Sequence, residues 1–151
     1  MKQELDDQLV GEFPNLYRMR HASMQVTCMC WGFDIDDGWY DLIYDLSVKL
    51  EKLILELPEE VRADCCASQC KEKFGGLRFY MDGATKEMHA LISDAETLSY
   101  HICETCGKSG GLRKGGWLKV LCDEHANGRE LAKPPQVMTF AKDETKDDTT
   151  E

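Results

Sequence analysis

Apolar positions recur at helical spacing in three stretches of the chain and alternate with polar ones in a fourth. Residues 3–13 carry a short helical pattern that Pro14 stops. The strongest pattern covers 38–57, where Trp39, Leu42, Ile43, Leu46, Leu50, Leu53, Ile54 and Leu57 repeat as one core face. Asp36-Asp37-Gly38 supplies an N-cap for it, and Pro58 ends it. Asp41, Asp45, Lys49, Lys52 and Glu56 form a polar stripe, whose i,i+4 pairs are worth only about 0.2–0.5 kcal/mol each. Tyr40, Tyr44, Val48 and Leu55 make a second apolar set, so this helix is either buried on two sides or presents a dimer face. Residues 61–82 read as a β-hairpin turning at Gly75-Gly76, and 84–101 as a helix burying Met88, Leu91, Ile92, Ala95 and Leu98. Residues 24–33 mix polar and apolar positions, as a strand or an ordered loop would.

Chemistry enters with Cys103-Glu104-Thr105-Cys106, followed by Cys122-Asp123-Glu124-His125. Two Cys/His pairs with two-residue gaps, joined by a Gly-rich linker, match the ligand set of a tetrahedral Zn²⁺ site. A two-residue gap lets both side chains of a tight knuckle reach one cation, and thiolate with imidazole suits a borderline-soft ion. Four protein ligands leave no open position, so the expected role is structural, with one ion per chain. Gly107 follows the knuckle, where a turn free of Cβ crowding is needed. The linker reads as a short hairpin, with strands at 112–114 and 117–121, and a helix is expected from Asp123 to about Leu131. Knuckle, hairpin and helix together predict a treble-clef-like ribbon. His101 is an alternative to His125, less favoured because His125 completes the second pair.

The expected organisation is therefore an α+β core over 1–100, a metal-binding ribbon over 101–132, and an acidic disordered tail over 133–151. The net charge of −10 is uneven. Residues 1–60 hold five Lys/Arg against thirteen Asp/Glu, whereas 61–132 hold ten of each. Phosphate attraction dominates nucleic-acid affinity, so this balance opposes non-specific DNA or RNA binding. No apolar run is long enough to span a bilayer, and the opening residues do not resemble a signal peptide. Eight cysteines without such a signal, half of them at metal spacing, point to a reducing cytoplasm.

Gly-Gly-Leu-Arg occurs twice, at 75–78 and 110–113. The simple reading is a recurrent hairpin turn. The sharper one is an anion cradle in which Lys71, Lys73, Arg78, Arg113 and Lys114 hold a phosphate while Tyr80 or Trp117 stacks on a base. Cys28 and Cys30, with Cys65, Cys66 and Cys70, could form a second metal site, but small buried hydrophobes are the better account. No catalytic residue is assigned: Cys28 with His21 is a pairing by proximity alone, and His89 reads as a surface histidine. A nuclease built on a treble-clef frame would need a histidine on the linker hairpin, and residues 108–121 contain none.

Thr27-Cys28-Met29-Cys30-Trp31-Gly32-Phe33, Asp37-Gly38-Trp39-Tyr40, Lys71 through Tyr80, and Gly116-Trp117-Leu118-Lys119 through Cys122-Asp123-Glu124-His125 carry a further signal. Over about 8–127 this string resembles a family of small bacteriophage and prophage proteins. The resemblance implies a viral accessory protein in the bacterial host cytoplasm, and no particular reaction. The expected function is a non-enzymatic binder that sequesters or inhibits a host protein or a phosphorylated nucleotide signal. A homodimer is compatible with it. The alternatives are a metal-dependent enzyme on nucleotides or nucleic acid, with His21 or His89 as its base, and a DNA mimic.

Overall fold

The computed structural model describes residues 1–136, so most of the tail expected over 133–151 lies outside the described residues. Helix α1 (Gln3–Glu12) ends before Pro14, as its pattern predicts. The strand β1 (Phe33–Asp34) and a single 3-10 turn (Asp37–Trp39) lead into α2 (Tyr40–Glu56). After Pro58 comes a one-turn helix α3 (Glu59–Arg62), where the first part of the hairpin was expected. The hairpin itself is β2 (Cys66–Lys73) and β3 (Gly76–Asp82). Helix α4 (Lys86–Ser99) follows, its start capped by the Thr85 hydroxyl accepting from the Met88 N–H at 3.3 Å. The chain then forms β4 (Gly111–Arg113) and β5 (Lys119–Leu121). This is a mixed α+β fold. Among the described residues no helix is long and apolar enough to cross a membrane.

The sheet has the order β1-β2-β3, with β1 parallel to β2 and the hairpin antiparallel. Helix α4 packs on β3 and on α2, and the apolar faces of both helices share one buried cluster with the sheet. Leu42, Ile43, Leu46, Leu50 and Ile54 are buried at the spacing the sequence shows. Tyr40 and Tyr44 are half-buried, and Tyr44 meets Phe13 edge-on at 5.2 Å, while Val48 and Leu55 stay exposed. The second apolar set of α2 is thus covered only toward its N-terminal end. Leu98, expected in the core, is exposed near the end of α4.

Two polar residues of α2 are buried against the expectation that only apolar ones would be. Glu51 accepts from the Asn15 N–H at 3.1 Å and the Leu16 N–H at 2.8 Å, and Ser47 bonds the Tyr17 hydroxyl at 2.6 Å. Glu51 thereby satisfies backbone N–H groups that Pro14 has released from the helical ladder. The expected Asp36 cap is also corrected: neither 36 nor 37 caps through its side chain. Asp37 instead accepts from the Lys2 N–H at 2.8 Å, and Asp36 pairs with Lys119.

The tight turn of β2–β3 lies one residue earlier than expected. Lys73 pairs with Gly76, so the central residues are Phe74 and Gly75, with φ of 53° and 85°. Such a two-residue loop demands positive φ at both positions, which a bulky residue rarely adopts. Gly76 is nevertheless required, since a Cβ there would lie 2.3 Å from the Tyr100 hydroxyl.

The β4–β5 hairpin packs into the main body: Leu112 and Val120 belong to the same buried cluster as Leu50, Ile54 and Leu77. Among the described residues no helix follows Cys122. Residues 123–128 form turns, Asn127 and Gly128 have positive φ, and the chain returns along β4. There the Lys114 N–H donates to Glu130 O at 2.8 Å and the Ala132 N–H to Leu112 O at 2.7 Å. Backbone pairing with the open edge of β4 satisfies groups that a short helix with no apolar face would have left to solvent.

Candidate functional site

Cys103, Cys106, Cys122 and His125 come together as their spacing predicts. One ligand atom from each lies within 4.8 Å of the others. Cys106 Sγ is 3.7 Å from Cys122 Sγ, and His125 Nδ1 is 3.1 Å from Cys122 Sγ and 3.7 Å from Cys103 Sγ. Sulfurs bound at about 2.3 Å to one tetrahedral ion stand about 3.8 Å apart, so this set can hold a metal ion, and its donors suit zinc. His101 is not part of it. Burial pushes the Cys103 thiol up, but the N–H groups of Cys122, Cys106 and Thr105 aimed at its sulfur outweigh this and hold it at about 6. Such N–H···S bonds favour the thiolate that a metal requires. Among the described residues this is the only group of its kind; Cys65, Cys66 and Cys70 are buried, and Cys28 and Cys30 do not join a cluster.

The knuckle is seated on the start of α2. The Gly38 N–H donates to Glu104 O at 2.7 Å, and the indole N–H of buried Trp39 donates to Ile102 O at 2.8 Å. A Cβ on Gly38 would lie 2.3 Å from the carbonyl oxygens of both Cys103 and Glu104, which explains the glycine at that point. The Asp-Gly-Trp stretch that looked like a helix cap is thus a docking surface for the metal loop.

Where the hairpin tip meets the ribbon, a groove of about 720 Å³ opens. One wall is the end of β2, with Lys71, Glu72 and Lys73, and Phe74 of the turn after it; the other is Gly116 to Lys119. Its two rims carry large exposed rings, Phe74 at 67 % and Trp117 at 65 %. The Trp117 indole N–H reaches across to Glu72 Oε2 at 3.2 Å. Glu104, only 3 % exposed, also lines the groove between two metal ligands in sequence. Burial, and then the Asp36 charge, push its carboxyl up to about 7 against the pull of Lys119.

The anion cradle expected from the two Gly-Gly-Leu-Arg turns is only partly assembled. The turns do touch, since a Cβ on Gly75 would lie 2.4 Å from Leu112 Cδ1. Lys71, Lys73 and Trp117 share the groove. Arg113, however, is sunk in the ribbon, donating to Leu121 O at 3.2 Å, Arg129 O at 3.3 Å and Asp123 Oδ1 at 2.8 Å. Lys114 pairs with Glu130 at 3.4 Å. Arg78 pairs directly with Lys71 in the β2–β3 ladder and turns back to Leu77 O at 2.7 Å. Tyr80 lines a separate shallow depression with Met24, Val26 and Cys28. His21 and His89 are exposed and line neither pocket.

Phe74, Glu104, Asp36 and Lys119 are groove residues that sequence reasoning missed. Only Phe74 carried a readable sign, as an aromatic directly before Gly-Gly at a hairpin turn. The other three meet through contacts between residues far apart in sequence. Comparison of the chain with family models, curated proteins and solved structures finds no match.

Proposed function

We propose that this chain is a zinc-stabilised, non-enzymatic binding protein, and that it captures its target at the groove between the β2–β3 tip and the metal ribbon. The observation that carries this reading is the pair of exposed rings, Phe74 and Trp117, that line one groove. Exposed aromatics beside a concave, partly charged surface are a binding feature rather than a packing one. Zinc, held as a closed three-thiolate, one-imidazole site in a ribbon, is structural and fixes the wall that bears Trp117 and Lys119.

The resemblance to bacteriophage and prophage proteins supports the wider setting. On that reading the chain acts in the cytoplasm of a bacterial host and sequesters or inhibits a host factor. A phosphorylated nucleotide signal fits the groove's lysines and rings. A host protein is the second reading, favoured by a separate exposed set at Met24, Val26, Trp31 and Tyr80. An enzyme working at the groove gains no support from His21 or His89, which lie away from it.

Native mass spectra of the full chain, alone and with a panel of nucleotides and cyclic oligonucleotides, test the proposal. The expected result is one zinc per chain and a panel member retained unaltered. Conversion of any panel member would overturn the non-enzymatic reading. Retention of none sends the test to capture from bacterial lysate, with the Phe74→Ala, Trp117→Ala double variant as the control that must lose the target.

A further inference from the structure

The charges around the groove are unevenly paired. Lys119 lies 3.2 Å from Asp36 Oδ2 and 3.6 Å from Glu104 Oε1, so these three satisfy one another. Glu72 accepts from the Gly75 N–H at 2.6 Å and from the Trp117 indole at 3.2 Å. Lys71 and Lys73 enter no ion pair among the described residues, and of the groove carboxylates Asp34, in register with Lys71, and Glu72 likewise enter none. Two ammonium groups are thus left without a carboxylate partner, and Glu72 is held by its two N–H donors, so Asp34 alone among the groove carboxylates has neither an ion pair nor a hydrogen bond.

The rings beside them are held for contact. Glu72 holds the Trp117 indole by its N–H, and the residue stays 65 % exposed. Phe74 is carried outward by a left-handed backbone that glycine or asparagine would occupy with less strain, and Lys73 Nζ lies 5.6 Å from its ring centroid. Ring and ammonium thus share one rim.

We propose, building on the reading of this groove as a binding site, that it takes a small ligand with one flat aromatic ring and one anionic group, of the nucleoside monophosphate class. The ring packs against Trp117 and Phe74, and the anion sits on Lys71 and Lys73. No guanidinium fork adds to the lysines, since Arg78 and Arg113 are both turned to carbonyl oxygens, and two point charges suit a single phosphate. A cationic ligand would find three of the four groove carboxylates already engaged. A nucleic-acid strand would meet a chain of net charge −10.

Calorimetry on the zinc-loaded full chain tests this with AMP, adenosine, inorganic phosphate and a single-stranded oligoadenylate. AMP is expected to bind one per chain, with adenosine and phosphate each weaker by about tenfold or more, the worth of a charge-assisted contact. The Lys71→Ala, Lys73→Ala double variant should lose that advantage and leave adenosine unaffected. Trp117→Ala should weaken AMP and adenosine alike by about fivefold to a hundredfold, as loss of a stacking platform does. Unchanged zinc content and circular dichroism in each variant exclude misfolding as the cause. Equal affinity for AMP and adenosine, tighter binding of the oligoadenylate, or AMP binding indifferent to all three substitutions would overturn the proposal. So would absence of AMP binding. If the chain still retains another partner through Phe74 and Trp117, that absence removes the ligand class alone; if it retains none, the binding reading falls with it.

Discussion

The same four residues, Gly-Gly-Leu-Arg, open a strand twice in this chain, and the two copies are held by different forces. In the first, Leu77 is fully buried beneath α4, its N–H is taken by the Ser99 hydroxyl at 2.9 Å, and Arg78 is left half-exposed. In the second, the strands are three residues each, and the arginine is the buried, bonded element. The first copy belongs to a sheet covered by two helices and needs no help from its arginine. The second belongs to a ribbon too small to bury itself, which relies on Arg113, on the body's core and on a cluster of four residues able to hold a metal ion. Local sequence sets the turn; what surrounds the turn decides which side chain becomes structural.

Removing the metal should separate the two copies most sharply. Cys103→Ser takes one of four ligands from a site of the kind that supplies about 10–16 kcal/mol of binding free energy in small zinc modules. The expected outcome is loss of the bound ion and rapid amide exchange across 101–132, with protection surviving in α2, α4 and β2–β3. Hydrogen exchange read by mass spectrometry checks it. Equal loss of protection in the β2–β3 hairpin would mean that the ribbon and the body unfold as one unit.

The second glycine of each copy gives the next contrast. A Cβ at Gly76 would sit 2.3 Å from the Tyr100 hydroxyl and 2.4 Å from its ring, which is rigid and buried. A Cβ at Gly111 would meet only the end of the exposed, flexible Leu131 side chain, at 2.7 Å. Gly76→Ala is expected to cost about 1–3 kcal/mol, as overpacking does, and Gly111→Ala less than about 0.5 kcal/mol. Urea unfolding of the two variants side by side measures the difference. A cost at Gly111 as large as at Gly76 would break the contrast.

At the arginines the order reverses. Arg113→Ala leaves Leu121 O and Arg129 O without their guanidinium partner inside the ribbon, and should cost about 1–3 kcal/mol. Arg78→Ala, which removes only a bond to the neighbouring carbonyl, should stay within about 0.5 kcal/mol. The same unfolding experiment applies. Parity between the two variants would mean that the Arg113 bonds are replaced by water.

What was legible in the sequence is what depends on spacing alone. The metal ligands and the core faces of α2 and α4 follow from intervals of three and four residues. What was not legible depends on partners distant in sequence. Asp36 and Asp37 have the composition of a helix cap, yet serve Lys119 and the Lys2 N–H, because the metal loop and the N-terminus pack there. Asp123 and Glu124 favour a helix start, but the free edge of β4 draws residues 130–132 into pairing. Arg113 reads as a surface cation until the ribbon is folded around it.

Phe74 is the position where a substitution is expected to raise stability. Its φ of 53° is one that asparagine adopts with little penalty and phenylalanine does not. With the ring 67 % exposed, its burial contributes little, and the contact with Lys73 at 5.6 Å is an exposed one. Phe74→Asn should therefore raise stability, by a few tenths to about 1 kcal/mol, while the corresponding change at a buried aromatic would unfold the chain. In the same variant, retention of the groove's ligand should fall. Stability and binding moving in opposite directions at one residue is the pattern expected where local strain is kept for contact with a ligand. A loss of stability in Phe74→Asn would instead make the ring a packing element, and the β2–β3 tip would join the rest of its hairpin as structure.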